Sequence, residues 1–198
     1  LICENNRCSF TRDLMAELEN INRFTEQALY YARSEHTEND YSVREIRLSN
    51  VVHGAIADNK YLLRQNNVTV TVDNVEYSIY SDDKWLRFIL DQLISNAVKY
   101  RIDQPVLHFS AVKENDRVIL SVEDDGIGIP QSDLSRIFEK GFTGQNGRII
   151  HSSTGIGLYL CKRLCDKLGI GISASSEGKG TTISLSFRIN DFVTGVQG

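Results

Sequence analysis

Two glycine-rich turns constrain this chain more than any other feature: Asp124-Asp-Gly-Ile-Gly-Ile-Pro130 closes an alternating, strand-like segment, and Ser153-Thr-Gly-Ile-Gly-Leu158 opens a helical one. Glycines in such turns leave no Cβ between the backbone and a neighbouring group, so N–H groups can approach a ligand closely. Upstream lies Asp91-Gln-Leu-Ile-Ser-Asn-Ala-Val-Lys-Tyr100, which reads as the end of a helix. There Gln92, Asn96 and Tyr100 fall at i, i+4 and i+8 with Lys99 alongside, combining amide, phenol and ammonium groups on one face.

The chemistry of these groups points to ATP. An Asn amide oxygen is a neutral hard ligand suited to Mg²⁺, so Asn96 is the expected metal ligand and Lys99 the phosphate contact; the competing reading is a solvated helix face. Asp124 ends its strand, and an ionised carboxylate only accepts hydrogen bonds. It can take one from adenine's exocyclic amine, whereas guanine offers an oxygen there. Gly126 and Gly128 would let a flat base lie against the chain, while Asp125 reads as a solvated turn residue. In the second turn, Gly155 and Gly157 precede a helix whose positive end can receive phosphate. It is not a Walker loop, because no Gly-Lys-Ser/Thr follows. Residues 138–151 hold several glycines and few core-formers and read as a lid over the nucleotide. Lys140 or Arg148 can reach phosphate from it; Phe138 and Phe142 either anchor its root or pack in the core. His151 reads as an exposed loop histidine or one that faces phosphate. Gly178-Lys-Gly180-Thr181 brings a hydroxyl that can join Asp124 in holding adenine.

The rest of the chain frames that site. Thr11 to Arg33 lacks Gly and Pro, and Leu14, Leu18, Ile21, Ala28 and Ala32 form a heptad-like seam that needs a partner surface. Residues 34–40 contain no apolar side chain and read as a linker, with His36 solvated in it. Beyond it come a strand over 41–47 and a helix capped by Ser49 with Val52, Ala55 and Leu63 on its apolar face. A hairpin around Asp73-Asn74 joins Val68–Val72 to Val75–Tyr80, and a helix opened by Ser81 or Asp82 runs to Tyr100. Strands follow at 106–112 and 117–124, a short helix at 132–138, a helix at 155–168, and strands at 170–175 and 181–189. His53 and His108 read as surface residues. Cys161 and Cys165 share a helix face as small buried side chains, and the spacing of Cys3 and Cys8 is no zinc framework. The order implies an α+β two-layer sandwich, one mixed sheet with helices on one face. A net charge of -4 disfavours nucleic acid, and no apolar run approaches the length needed to span a bilayer.

These motifs resemble the catalytic ATP-binding region of bacterial sensor histidine kinases, within the superfamily of gyrase, Hsp90, histidine kinases and MutL. Asn96-Ala-Val-Lys-Tyr100 is similar to the N box, Asp124–Ile129 to the G1 box, Phe138–Phe142 to the F box and Gly155–Leu158 to the G2 box. The run Arg136 to Arg148 is most similar to the kinases linked to antimicrobial-peptide transporters, such as the bacitracin-response type. The resemblance covers residues 41–189. It implies the Bergerat-type ATP-binding fold and a nucleotide site drawn from Asn96, Lys99, Tyr100, Asp124, Gly126, Gly128, Ile129, Lys140, Arg148, Gly155, Gly157, Leu158 and Thr181. Mg²⁺ would sit at Asn96, with Gln92 as a second candidate.

Gln92 departs from the Asn found there in many relatives and from the water-activating Glu of the superfamily's ATPases. An amide is no general base at neutral pH, which argues for phosphoryl transfer over hydrolysis. None of His36, His53, His108 and His151 is followed by an acid and then Pro or Thr, as the resemblance requires of the phosphoacceptor. The expected organisation is therefore a truncated dimerisation arm over 1–40, a catalytic domain over 41–190 and a loose tail over 191–198, with the acceptor His elsewhere. The implied parent is a homodimeric membrane-anchored sensor whose kinase region faces the cytoplasm, with a response regulator and an antimicrobial-peptide ABC transporter as partners. A nucleotide-sensing module without transfer activity and an ATPase clamp are the alternative readings.

Overall fold

In the computed structural model the chain divides into two compact units, Leu1–Asp40 and Tyr41–Gly198. The structure describes Thr25 and residues 41–149 and 154–189, with the side chains of 146, 148 and 149 excluded. The heptad seam, the linker, Cys3, Cys8, His36, His151, Ser153 and the tail lie outside the described residues.

The second unit begins with β1 (Arg44–Arg47), α1 (Leu48–Asp58), α2 (Lys60–Gln65), β2 (Thr69–Asp73) and β3 (Ser78–Ser81). It continues through α3 (Asp83–Lys99), β4 (Val106–Glu114), β5 (Arg117–Asp124) and α4 (Gln131–Leu134). The last elements are α5 (Gly144–Ile149), α6 (Gly157–Leu168), β6 (Gly171–Ser175) and β7 (Thr181–Arg188). Five strands form one mixed sheet in the order β2-β4-β5-β7-β6, and β1 pairs with β3 in a separate antiparallel ribbon. The mixed sheet with its helices is the expected α+β sandwich, with the β1–β3 ribbon as an addition to it.

Strict alternation builds the larger sheet. Leu107, Phe109 and Ala111 of β4, Val118, Leu120 and Val122 of β5, and Ile183, Leu185 and Phe187 of β7 are buried on one face. His108, Ser110, Ser121 and Ser184 turn to the other, and His108 Nδ1 lies 2.7 Å from Thr71 Oγ1. Over the apolar face lies α3, with Leu86, Ile89, Leu90, Leu93 and Ala97 buried along it, and Leu160 and Leu164 of α6 are buried beside them. Cys161 and Cys165 are free thiols in this packing, and burial pushes the Cys165 thiol up to about 12 and Cys161 well above its usual range. They stay neutral side chains. Among the described residues no helix is long and apolar enough to cross a membrane.

The start of α3 matches its sequence signal. Asp82 accepts from the backbone N–H groups of Lys84 (3.1 Å) and Trp85 (3.3 Å), and its other oxygen accepts from Ser42 N (2.8 Å). One carboxylate thus satisfies two first-turn donors and pins the incoming chain. Asp82→Ala should lower unfolding stability by about 1–2 kcal/mol, as measured by urea denaturation; an unchanged midpoint would show that water replaces the cap.

Three local expectations differ. The helix assigned to a Ser49 cap starts at Leu48 without a side-chain cap, and Ser49 Oγ instead donates to Glu76 Oε2 at 3.0 Å. The segment at 132–138 is helical only over Gln131–Leu134. The hairpin around Asp73-Asn74 does not form. Asn74 does turn the chain, with φ 54°, but β2 runs parallel to β4 and β3 pairs with β1. In this arrangement Val70 and Val72 stand in register with Leu107 and Phe109, extending the apolar face, which a local hairpin would not do. The crossover that a parallel pair requires is supplied by α3.

Candidate functional site

The last two turns of α3 and the ends of β5 and β7 converge on a cleft of about 800 Å³, part of it open to solvent. Leu93, Asn96, Ala97 and Tyr100 come from α3, Asp124 ends β5, and Thr181 begins β7. Leu107, Val122 and Ile183 of the sheet give the cleft an apolar floor. A flat heteroaromatic fits a wall with so few polar groups at its edge.

Asp124 and Thr181 are register partners on adjacent strands, which places their backbones side by side at the end of the sheet. Asp124 Oδ1 accepts from Gly126 N at 2.9 Å. Burial raises its carboxyl from the ordinary 3.8 to about 6. The N–H groups of Gly126 and Thr181 oppose that rise, and the neighbouring Asp125 and Glu123 add to it. At neutral pH the group is ionised and able only to accept.

The first glycine turn is built for close approach. A Cβ on Gly126 would stand 2.7 Å from Asp124 Oδ1 and collide with the Tyr100 carbonyl, while Gly126 O accepts from Gly180 N at 2.8 Å. Gly128 has φ 73° and lines the cleft with Ile129. Asp125 is not the solvated turn residue expected: its Oδ1 accepts from Val106 N at 2.8 Å and its N–H donates to Val106 O. It closes the ladder between β4 and the turn.

The remaining candidates divide. Asn96, Tyr100, Asp124, Gly128, Ile129, Leu158 and Thr181 line the cleft together, with Gly126 packed beneath them. Lys99 is not in the lining among the described residues, and its Nζ sits 5.6 Å from the Tyr100 ring centre. Gln92 is 6% exposed and packs inside, so the polar face drawn from Gln92 through Tyr100 is corrected to its C-terminal part. Lys140 borders an adjoining polar hollow with Arg136 and Glu139. Gly155 has φ 66° and its carbonyl accepts from Gly141 N at 3.0 Å, so the backbone that closes on it here is the root of the lid segment. Gly157 is the first residue of α6. The Arg148 side chain lies outside the described residues.

The lid segment, expected as a loop, contains the short helix α5. Asp133, which also lines the cleft, accepts from Gln145 N at 3.0 Å and holds the first turn of α5. Phe142 lines the cleft and carries Arg136 over its ring at 4.5 Å, whereas Phe138 is half-buried and not in the lining. Sequence reasoning missed Asp133, Ile137 and Ser176. An acid three residues after Pro130 and a Ser before a glycine turn are ordinary helix-start and turn formers, so no pattern singled them out. His53, whose Nδ1 is 2.8 Å from Ser49 O, and His108 are not part of the cleft lining.

With this geometry established, comparisons with known proteins converge. The sequence profile of the histidine kinase-, DNA gyrase B- and HSP90-like ATPases matches residues 81–191. The sensor histidine kinase YxdK of Bacillus subtilis (strain 168) is 36% identical over 174 residues, covering 86% of this chain and 54% of that protein. The sensor protein BceS of Halalkalibacterium halodurans is 37% identical over 182 residues, covering 91% and 54%. The chain thus spans about half the length of these relatives. Among solved structures, the Acinetobacter baumannii histidine kinase AdeS superposes with a TM-score of 0.71 at 21% identity, covering 91% of this chain and 84% of that one. A full-length ShkA in complex with AMPPNP gives 0.72 at 20% identity, covering 86% and 36%. The fold is therefore that of these kinases' ATP-binding regions, and the chain belongs to the family of histidine kinase-, DNA gyrase B- and HSP90-like ATPases.

Proposed function

We propose that this domain is the catalytic ATP-binding portion of a two-component sensor histidine kinase of the antimicrobial-peptide-response type. It holds Mg-ATP and presents the γ-phosphoryl group to a His outside residues 1–198. The observation that carries the reading is the cleft itself, where an ionised Asp124 at the end of β5 faces the same space as Asn96 on α3. Family membership and the similarity to sensor kinases support it.

In this reading Asp124 accepts from adenine's exocyclic amine and Thr181 assists, while Tyr100, Ile129 and Leu158 enclose the nucleotide. Lys99, Lys140, Arg148 and the backbone of Gly155 and Gly157 serve the phosphates. Asn96 offers the amide oxygen that fits a hard cation, and among the described residues the lining holds no thiol or imidazole that would favour a softer metal. Mg²⁺, when bound, supplies neutralisation of phosphate charge. Phe142, Thr143 and Gly144 line the cleft, and Gln92, an amide, offers no general base for hydrolysis. Positioning and charge neutralisation then do most of the catalytic work. In the assembled protein, residues 1–40 belong to a dimerisation arm, the phosphoryl group passes on to an Asp of a response regulator, and the parent sits in the membrane with a peptide-transporter partner.

The chain is mixed with Mg-ATP and a separately supplied acceptor helix from a similar kinase. The expected product is acid-labile phosphohistidine on the helix and none on this chain. Tight ATP binding with no phosphohistidine in any arrangement would overturn the transfer assignment while leaving the nucleotide site standing.

A further inference from the structure

Ser176 follows β6 and is 4% exposed, yet its hydroxyl is fully engaged. It accepts from Ile129 N at 2.9 Å and donates to Gly180 O at 2.6 Å, while Ser176 O accepts from Gln131 Nε2 at 2.7 Å. The two turns it joins come from distant parts of the chain and border the same cleft, Gly128 and Ile129 on one side and Thr181 on the other. They approach so closely that a Cβ on Gly128 would stand 2.8 Å from Gly178 O and 3.0 Å from Ser176 Oγ. Ladder bonds do not hold them together at this point, because β5 ends at Asp124 and β7 begins at Thr181. Besides the hydroxyl, Gly180 N to Gly126 O is the backbone link between them.

We propose that Ser176 is a positioning residue of the base subsite: its hydroxyl locks the Gly128–Ile129 turn to Gly180, so that Asp124 and Thr181 meet the base as one preorganised edge. The inference rests on the ATP reading above and assigns the residue that gives that site its shape. The hydroxyl orients two backbone groups at once, which a carbon side chain of equal size cannot do. Gly180 also fixes where Thr181 N–H points, and that N–H holds the Asp124 carboxyl down against its burial. Loosening Gly180 should leave burial, Asp125 and Glu123 to push Asp124 higher.

The test measures ATP affinity by calorimetry between pH 5 and 8.5 for the 198-residue chain and for Ser176→Ala, Ser176→Thr and Gln131→Ala. Two net hydrogen bonds are lost in Ser176→Ala, and part of that loss should appear as about a three- to tenfold weaker dissociation constant at pH 8. Its pH midpoint should move above that of the unmodified chain, Ser176→Thr should restore both, and Gln131→Ala should leave the midpoint in place. A residue that only stabilises the fold would lower the melting temperature without moving the midpoint. If Ser176→Ala does not fold, Ser176→Cys, equal in shape and weaker in hydrogen bonding, takes its place with the same expected direction. Unmodified affinity and midpoint in a folded Ser176→Ala or Ser176→Cys protein would overturn the proposal. Absence of ATP binding by the unmodified chain would instead overturn the reading on which it rests.

Discussion

Asp124→Asn should weaken ATP binding by one to two orders of magnitude, since a hydrogen bond to a charged acceptor is worth about 1.5–3 kcal/mol and each 1.4 kcal/mol is tenfold. The carboxylate has two accepting oxygens. Oδ1 takes the N–H of Gly126 and the Thr181 N–H also donates to the group, and a carboxylate with about four lone-pair sites keeps room for adenine's amine. An amide has one oxygen, so either Gly126 N–H or the adenine amine must face an NH₂ group. The pH dependence gives an independent check. An ionised Asp124 is the stronger acceptor, so affinity should fall as pH drops through about 6, and the part of this dependence not due to titration of the ATP phosphates should vanish in the Asn variant. Stability moves the other way. With its folded value raised from 3.8 to about 6, the group makes the unliganded domain lose stability as pH rises between those values. The uncharged Asn variant should thus melt no lower than the unmodified chain at neutral pH. Isothermal titration with unchanged affinity in the folded variant would remove Asp124 from the base subsite.

Asn96→Ala should cost the phosphoryl-transfer step about 10²–10³-fold, the usual penalty for removing one group that stabilises developing charge. Asn96 lies on α3 one turn before Tyr100, and its backbone carbonyl accepts from Tyr100 N at 3.0 Å. Ala is the better helix former, so the helix should persist and the loss should be local. The split between measurements carries the argument. Binding of ATP in the presence of Mg²⁺ should weaken, whereas binding of adenosine, which has no phosphate to bridge, should not change. Asn96→Asp keeps an oxygen ligand but adds a negative charge beside the phosphates, and should disturb Mg²⁺-dependent binding more than binding in EDTA. Equal effects with and without Mg²⁺ would assign Asn96 to the nucleotide alone.

Much of the framework was legible because its signals are local. Asp82 is both a strong N-cap residue and the residue that caps α3, and the alternation in β4, β5 and β7 names the buried face correctly. The same holds for the glycine turn at Gly126–Gly128, whose close contacts leave no room for a side chain. The failures concern partners chosen at a distance. Asn74 bends the chain as its sequence suggests, but whether β2 pairs with β3 or β4 is decided by which register extends the apolar face. Gln92 shares a helix stripe with Asn96, yet packing over the turn between them buries one and leaves the other in the cleft. Ser176 and Asp133 act through backbone atoms of segments 47 and 12 residues away, so no short spacing could reveal them.

Trp85 is the single tryptophan in the chain, 1% exposed at the start of α3, with Tyr41 at 5.4 Å and Lys84 at 5.0 Å from its ring. Its emission therefore reports on the packing at the start of α3. Eleven positions separate it from Asn96 along the helix, about 16 Å at 1.5 Å per residue. A change in its spectrum on titration would be an optical record of α3 shifting as a rigid rod, read at the end of the helix away from the base.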